Sequence, residues 1–315
     1  MQAQKVGSQG QKAPQSCRAW HSTLPRKVGP QRRHRSAARA TSSGTGTQRG
    51  VIILPGLANN AADYKNLSEI LRQRGMDVEV APITRLDWSR NAAALTDVNW
   101  WKGTLKPRPA VDWYMDKLNA SMQALKRRVD GGPITMLTHS AGGWLGRVYM
   151  LDFGSEGIDH FVSLGSPHQP PPKGIIDQTR GILTWCSDSC PGAYHPNVKY
   201  TSIAGRFIKG AELSGEGELL AKIAGIGYQQ VCGQADVFGD VIVPEPSAHL
   251  GEGAESVNLE GVFHSPIGEK LPFFGPWYGS ASVVPRWVHY LDSSEPAPLN
   301  ESSAEDSSLA GSRKQ

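Results

Sequence analysis

Ile134-Thr135-Met136-Leu137-Thr138-His139-Ser140-Ala141-Gly142-Gly143 passes from a β-branched, apolar run straight into small residues. Residues 134–138 predict a buried strand, and residues 141 to about 152 predict a helix. Ser140 falls at the junction. A strand that turns sharply into a helix lifts the side chain at the bend clear of the sheet, and small neighbours let the helix pack close. Ala141 and Gly142 supply those small residues, whereas Thr138 stands where such bends ordinarily carry glycine. The plain alternative is a strand–helix turn with a capping serine.

The same alternation extends in both directions. Residues 51–54 form a short β-branched run ending at Pro55-Gly56, a buried parallel strand and its turn. Tyr64, Leu67 and Leu71 recur at helical spacing, Gly75 closes that helix, and Val78, Val80 and Ile83 mark a second strand. Residues 84–110 are rich in Trp, Asn and Pro and predict a long irregular excursion. Val111, Met115, Leu118, Met122, Leu125 and Val129 follow at spacings of 4-3-4-3-4, an amphipathic helix. Lys126, Arg127 and Arg128 sit at the negative end of its dipole, and Gly131-Gly132-Pro133 stops it. Further strands are expected at residues 161–164, 200–204 and 257–259, and a last helix at 284–291. Strands alternating with helices define an α/β class, with a mostly parallel sheet and helices on both faces.

Charge divides the chain. The formal net charge is +4, but residues 1–49 contain ten basic residues, and no acid precedes Asp63. Beyond residue 49, 23 basic residues face 29 acidic ones, a net of −6. Basicity therefore belongs to the leader, which argues against a nucleic-acid partner for the domain. Residues 1–48, acid-free and rich in Arg, Ser, Gln and Gly, are expected to be a disordered organellar transit peptide, chloroplast or mitochondrial, removed near residues 40–50. Residues 49–292 form the domain, and 293–315, rich in Ser, Pro and acid, a disordered tail. No stretch reaches the roughly 20 apolar residues that span a bilayer. The four cysteines do not make a disulfide framework; Cys186 and Cys190 read as two ordinary thiols or as a redox-sensitive pair.

A serine hydroxyl needs a base to take its proton and a carboxylate to orient that base. For a serine on a strand-to-helix bend the acid and then the histidine follow in the chain. Asp240, flanked by Gly239 and a β-branched run, is preferred over Asp236 as the acid. His264, after the last strand, is preferred over His249 as the base. His139 neighbours Ser140 and is expected to point elsewhere. The oxyanion donors are expected to be the Ala141 N–H and the Leu57 N–H, with Ala58 as the alternative to Leu57. No metal or organic cofactor is implied. An insertion at about 168–197 carries Pro170-Pro171-Pro172, Ile175, Ile176, Ile182, Leu183 and Trp185. It reads either as an excursion packed onto the domain or as an apolar cap that presents Ile182 and Trp185 to substrate.

Leu54-Pro55-Gly56-Leu57 with Asn59-Asn60, His139 to Gly143, Leu164 to His168, Val231 to Asp236, Gly239-Asp240 and Val262 to Pro266 carry a family resemblance. Across residues 50–292 the chain resembles a plant and cyanobacterial branch of the α/β-hydrolase superfamily, related to lipases and distantly similar to GPI inositol-deacylases. The resemblance implies the α/β-hydrolase fold with a cap or lid insertion, a Ser140–Asp240–His264 triad, and a plastid destination for the leader. The activity expected is hydrolysis of carboxylic esters, lipid acyl esters above all, through an acyl-enzyme, with the protein a visitor to the lipid surface. An acyltransferase using the same triad, or a ligand-binding relative with vestigial turnover, are the alternatives.

Overall fold

The computed structural model describes residues 48–267 and 274–292. The expected transit peptide and acidic tail lie outside these residues. Strand β1 (Gly50–Leu54) is buried along its whole length, and its side chains alternate between two cores. Ile52 and Leu54 feed one, Val51 and Ile53 the other. A strand apolar on both faces belongs inside a parallel sheet. β1 accordingly pairs in parallel with β2 (Asp77–Val80) on one side and β3 (Ile134–His139) on the other. Strands β4 (Ile158–Leu164) and β5 (Lys199–Arg206) extend the sheet. A two-residue antiparallel pair, β6 (Ile208–Lys209) and β7 (Phe238–Gly239), stands apart, and β8 (Glu255–Glu260) closes the main sheet. Its order is β2-β1-β3-β4-β5-β8, parallel throughout.

Helices cover both faces. After a single 3-10 turn at Ala61–Tyr64, α1 (Lys65–Gln73) packs Leu67 and Leu71 onto the Val51 side. The opposite face receives α4 (Asp112–Val129) and α5 (Gly142–Phe153). All six residues of the 4-3-4-3-4 series are buried there. Residues 84–110, expected to be irregular, are helical: a 3-10 stretch Arg85–Thr96, then α2 (Val98–Lys102) and α3 (Pro107–Ala110). Thr84 and Asp87 close a capping box at the start of this run, and Trp88, Ala94 and Leu105 are buried beneath it. Short capped turns carry no long periodicity, which is why the spacing predicts nothing regular.

The insertion holds α6 (Ile182–Ser189), fixed by the buried Arg147 of α5. Its guanidinium donates to the carbonyls of Cys190 (2.7 Å), His168 (3.3 Å) and Cys186 (3.4 Å). Beyond β6 comes α7 (Leu219–Cys232), which the sequence reading misses because Gly225 and Gly227 interrupt its interior, and then α8 (Glu245–Ala248). The single helix expected at 284–291 is instead two 3-10 turns, Val284–Arg286 and Val288–Leu291. Pro285 lacks the N–H a longer helix would need, and Trp287 leaves helical geometry at φ −140°.

Candidate active site

The chain leaves β1 toward β2 on one side and returns to β3 on the other, so the sheet reverses its direction of growth between β1 and β3. Crevices at such a reversal, beyond the carboxyl ends of the strands, are where open α/β sheets bind ligands. Ser140 stands there, half-buried, at φ 53°. A non-glycine residue in that region is uncommon and marks a sharply bent backbone. The neighbours make room for it. A Cβ on Gly56 would lie 2.5 Å from Ser140 Cβ and 3.2 Å from its Oγ. Gly142 abuts the Leu54 carbonyl, which lets α5 press against β1.

Asp240 and His264 meet. His264 Nδ1 lies 2.7 Å from Asp240 Oδ2. The carboxylate oxygen accepts in this bond and Nδ1 is the donor, which turns Nε2 away from Asp240. Asp240 is fully buried and each of its oxygens is used twice. Oδ2 also accepts from the Tyr278 hydroxyl at 2.8 Å; Oδ1 accepts from the Val243 N–H at 2.7 Å and the Ile242 N–H at 3.1 Å. Val241 sits at φ 85° inside that turn, a strained geometry for a β-branched residue. Tyr228 of α7 holds it by accepting the Val241 N–H at 2.8 Å. Asp236, the competing acid, is exposed on the surface.

His139 turns away from Ser140 but not from the site. Its Nε2 donates to the His264 carbonyl at 2.9 Å, so Nδ1 is the acceptor for the Tyr64 hydroxyl at 2.8 Å. Burial pushes its pKa well below the usual histidine range, and the nearby His264 adds to this, so the ring is neutral. The Tyr64 hydroxyl in turn accepts from the Gly56 N–H and the Asn59 side chain, both at 3.1 Å. Tyr64 and His139 thus tie the turn after β1 to the loop that carries His264. In that turn the Asn59 N–H donates to the Gly56 carbonyl at 3.1 Å, with Ala58 at φ 59°. Among the described residues, neither the Leu57 nor the Ala141 N–H has a protein acceptor. His249 is engaged elsewhere, its Nε2 2.9 Å from Asn258 Oδ1.

Ser140, Ala141 and Leu57 border a cavity of about 400 Å³. Its walls are mostly apolar: Trp88, Ala94, Trp100 and Leu105 from the 84–110 excursion, Val111 at the head of α4, Trp144, and Ile242 with Val243 beside Asp240. Of the two expected cap residues, Ile182 lines the cavity. Trp185 instead packs, partly buried, against the core. The two side chains stand about 60° apart around α6, and only Ile182 reaches the cavity lining. Cys186 and Cys190 lie behind Ile182, buried, with their sulfurs 3.6 Å apart. The excursion, not the insertion alone, roofs the serine; Trp88 is anchored there by donating its indole N–H to the Asn59 carbonyl at 3.2 Å.

No family model and no curated protein matches the sequence. Among solved structures, the mature lipase BlEst2 of Bacillus licheniformis is similar at 16% identity and a TM-score of 0.46, over 75% of this chain and 93% of that one. The lin2722 product of Listeria innocua is similar at 13% identity and a TM-score of 0.44, over 79% and 96%. Phospholipase PlaB of Legionella pneumophila is similar at 12% identity and a TM-score of 0.43, over 69% and 53%. The fold itself is established by the chain's own strand order and bend: it is the α/β-hydrolase fold.

Proposed function

We propose that this protein hydrolyses carboxylic esters through an acyl-enzyme, and that its substrates are lipid acyl esters. The observation that supports this reading is the 2.7 Å contact of His264 with Asp240, together with a serine bent into the wall of an apolar cavity that Ile242 and Val243, next to Asp240 in the chain, also line. In this reading Ser140 Oγ attacks the acyl carbon while His264 Nε2 takes its proton. The negative charge on the carbonyl oxygen is received by the Ala141 and Leu57 N–H groups. Collapse expels the alcohol, protonated by His264, and water then repeats the attack on the acyl-enzyme. Asp240 keeps the imidazole in the tautomer that can accept. The acyl chain occupies the cavity, where each buried methylene adds about 0.8 kcal/mol. Turnover should therefore rise with chain length until the cavity is filled.

The test is an ester series from acetyl to long-chain acyl, with wild type and Ser140→Ala, followed by product analysis. Rising efficiency with chain length and a free fatty acid product support the reading. A strong preference for acetyl esters removes the lipid substrate, and undetectable turnover of every ester removes the hydrolase. The leader, acid-free and basic, supports an organellar destination, with the plastid favoured over the mitochondrion by the family resemblance alone. N-terminal sequencing of the protein from its host should find a start near residues 40–50.

A further inference from the structure

We propose that the surface beside the cavity mouth is a docking face for an anionic lipid bilayer. The inference rests on the ester-hydrolase reading for its purpose, though its test does not. Two large apolar side chains stand almost fully in solvent there: Trp101 at 71% and Ile176 at 70% exposure. Both border a second, open hollow of about 520 Å³, together with Lys102, Lys173 and Arg180. Among the described residues none of these three cations forms an ion pair; Arg180 lies over the Trp100 ring at 5.2 Å. Asp177, also at the hollow, is spent locally. It accepts from the Thr179 N–H and hydroxyl (2.7 and 2.6 Å), the Gly181 N–H (3.1 Å) and the Thr184 hydroxyl (3.4 Å).

The hollow and the active cavity share a wall. Trp100 lines the cavity and Trp101 the hollow; Gln178 and Thr179 line the cavity and Arg180 the hollow. The wall is stitched by the Leu105 N–H donating to the Arg180 carbonyl at 2.8 Å. At the cavity mouth itself Leu57 and Ile242 are exposed as well. Exposed apolar tips ringed by unpaired cations suit a lipid interface, where the tips enter the acyl boundary and the cations meet phosphates. A protein partner would have no need of three free cations around an indole; an anionic membrane uses all of them. No helix among the described residues is long and apolar enough to cross a membrane. Docking on this face brings the cavity mouth to the lipid. The net negative body beyond residue 49 would disfavour other orientations on an anionic surface.

The experiment is co-sedimentation of the full chain carrying Ser140→Ala, which cannot consume the lipid, with vesicles of phosphatidylcholine alone or mixed equally with phosphatidylglycerol. Tighter binding to the mixed vesicles, weakened by salt, is expected. Lys102→Ala and Lys173→Ala should each lower binding to mixed vesicles about fivefold and leave binding to phosphatidylcholine almost unchanged. Trp101→Ala with Ile176→Ala should lower binding to both by about tenfold or more. Ile223→Ser, on the separately exposed face of α7, is the control and should have no effect. Equal affinity for both vesicles, unchanged binding in the Trp101 and Ile176 variant, or loss through Ile223→Ser would each overturn the proposal. In an otherwise wild-type background the docking variants should keep full turnover of a dissolved short-chain ester. If vesicles bind as expected and no ester is turned over, the hydrolase reading fails and the docking face stands.

Discussion

Asp240 is the residue whose surroundings say most. Four donors fill its carboxylate, and two of them, Ile242 N–H and Val243 N–H, come from its own strained turn. Asp240→Asn would put an amide NH2 among groups that are already donors, and the histidine tautomer would no longer be fixed. Turnover should drop by about 10⁴ while the fold persists. Asp236→Asn, at an exposed position, should leave steady-state rates near wild type; the reverse ranking would exchange the two roles. Tyr64 acts at one remove. Tyr64→Phe strips the Gly56 N–H of its acceptor and leaves His139 Nδ1 only the Asn59 amide at 3.3 Å, which should cost about 1–3 kcal/mol of stability. If the pair positions the site, kcat should fall with KM nearly constant, since the cavity walls are untouched; a change in KM alone would reduce Tyr64 to a packing residue. That Asp240 and His264 come together is legible from chain order and loop context. Tyr64 and Tyr278 are not, because a tyrosine that shares its hydroxyl across 75 or 38 residues leaves no local pattern.

The elements divide along the same line. Strands buried on both faces and the amphipathic α4 announce themselves through periodicity, and their residues lie where the spacing puts them. What periodicity cannot reach is structure built from short capped turns, such as 85–96, or from a helix whose glycines serve close packing. Gly225 of α7 is one: a Cβ there would stand 2.8 Å from the Ala211 nitrogen. Those are the elements that roof the cavity and brace the Asp240 turn, so the cavity half of the candidate site is less legible than the half that holds Asp240 and His264. The insertion was recognised as apolar, but which of its residues face inward depends on the rotation of α6. Ile182→Ala should enlarge the cavity and shift the ester preference toward longer or bulkier acyl groups, at a stability cost of about 2–5 kcal/mol. Trp185→Ala should leave the chain-length profile in place. Acyl-chain selectivity that moves with Trp185 and not with Ile182 would mean that Trp185 rather than Ile182 meets the substrate.

At the scale of the whole molecule, two buried histidines link the fold to pH. His139 on β3 and His168 at the start of the insertion are both inaccessible to solvent, and burial first of all holds each pKa well below the ordinary value. His264 adds to the depression at His139 and Arg147 adds to it at His168. In the unfolded chain each returns to about 6.5. Below that pH the unfolded state binds protons that the native state refuses, so stability is lost as pH falls from about 6.5 toward the depressed native values. The slope is about 1.4 kcal/mol per pH unit for each histidine and about 2.7 for both. The carboxylates of Asp87 and Asp159, held at about 2, are still ionised in the native state through this window and take their toll only at lower pH. Denaturant midpoints should therefore hold steady above about pH 7 and fall steeply between about pH 6.5 and pH 5. His168→Gln can still meet Ser163, the present partner of Nε2 at 2.8 Å, but cannot titrate; it should remove about half of that slope. A midpoint that stays flat across the window, or a slope unchanged by the substitution, would mean that the two rings take up protons in the native protein and that the frame joining β3 to the His264 loop tolerates a charge.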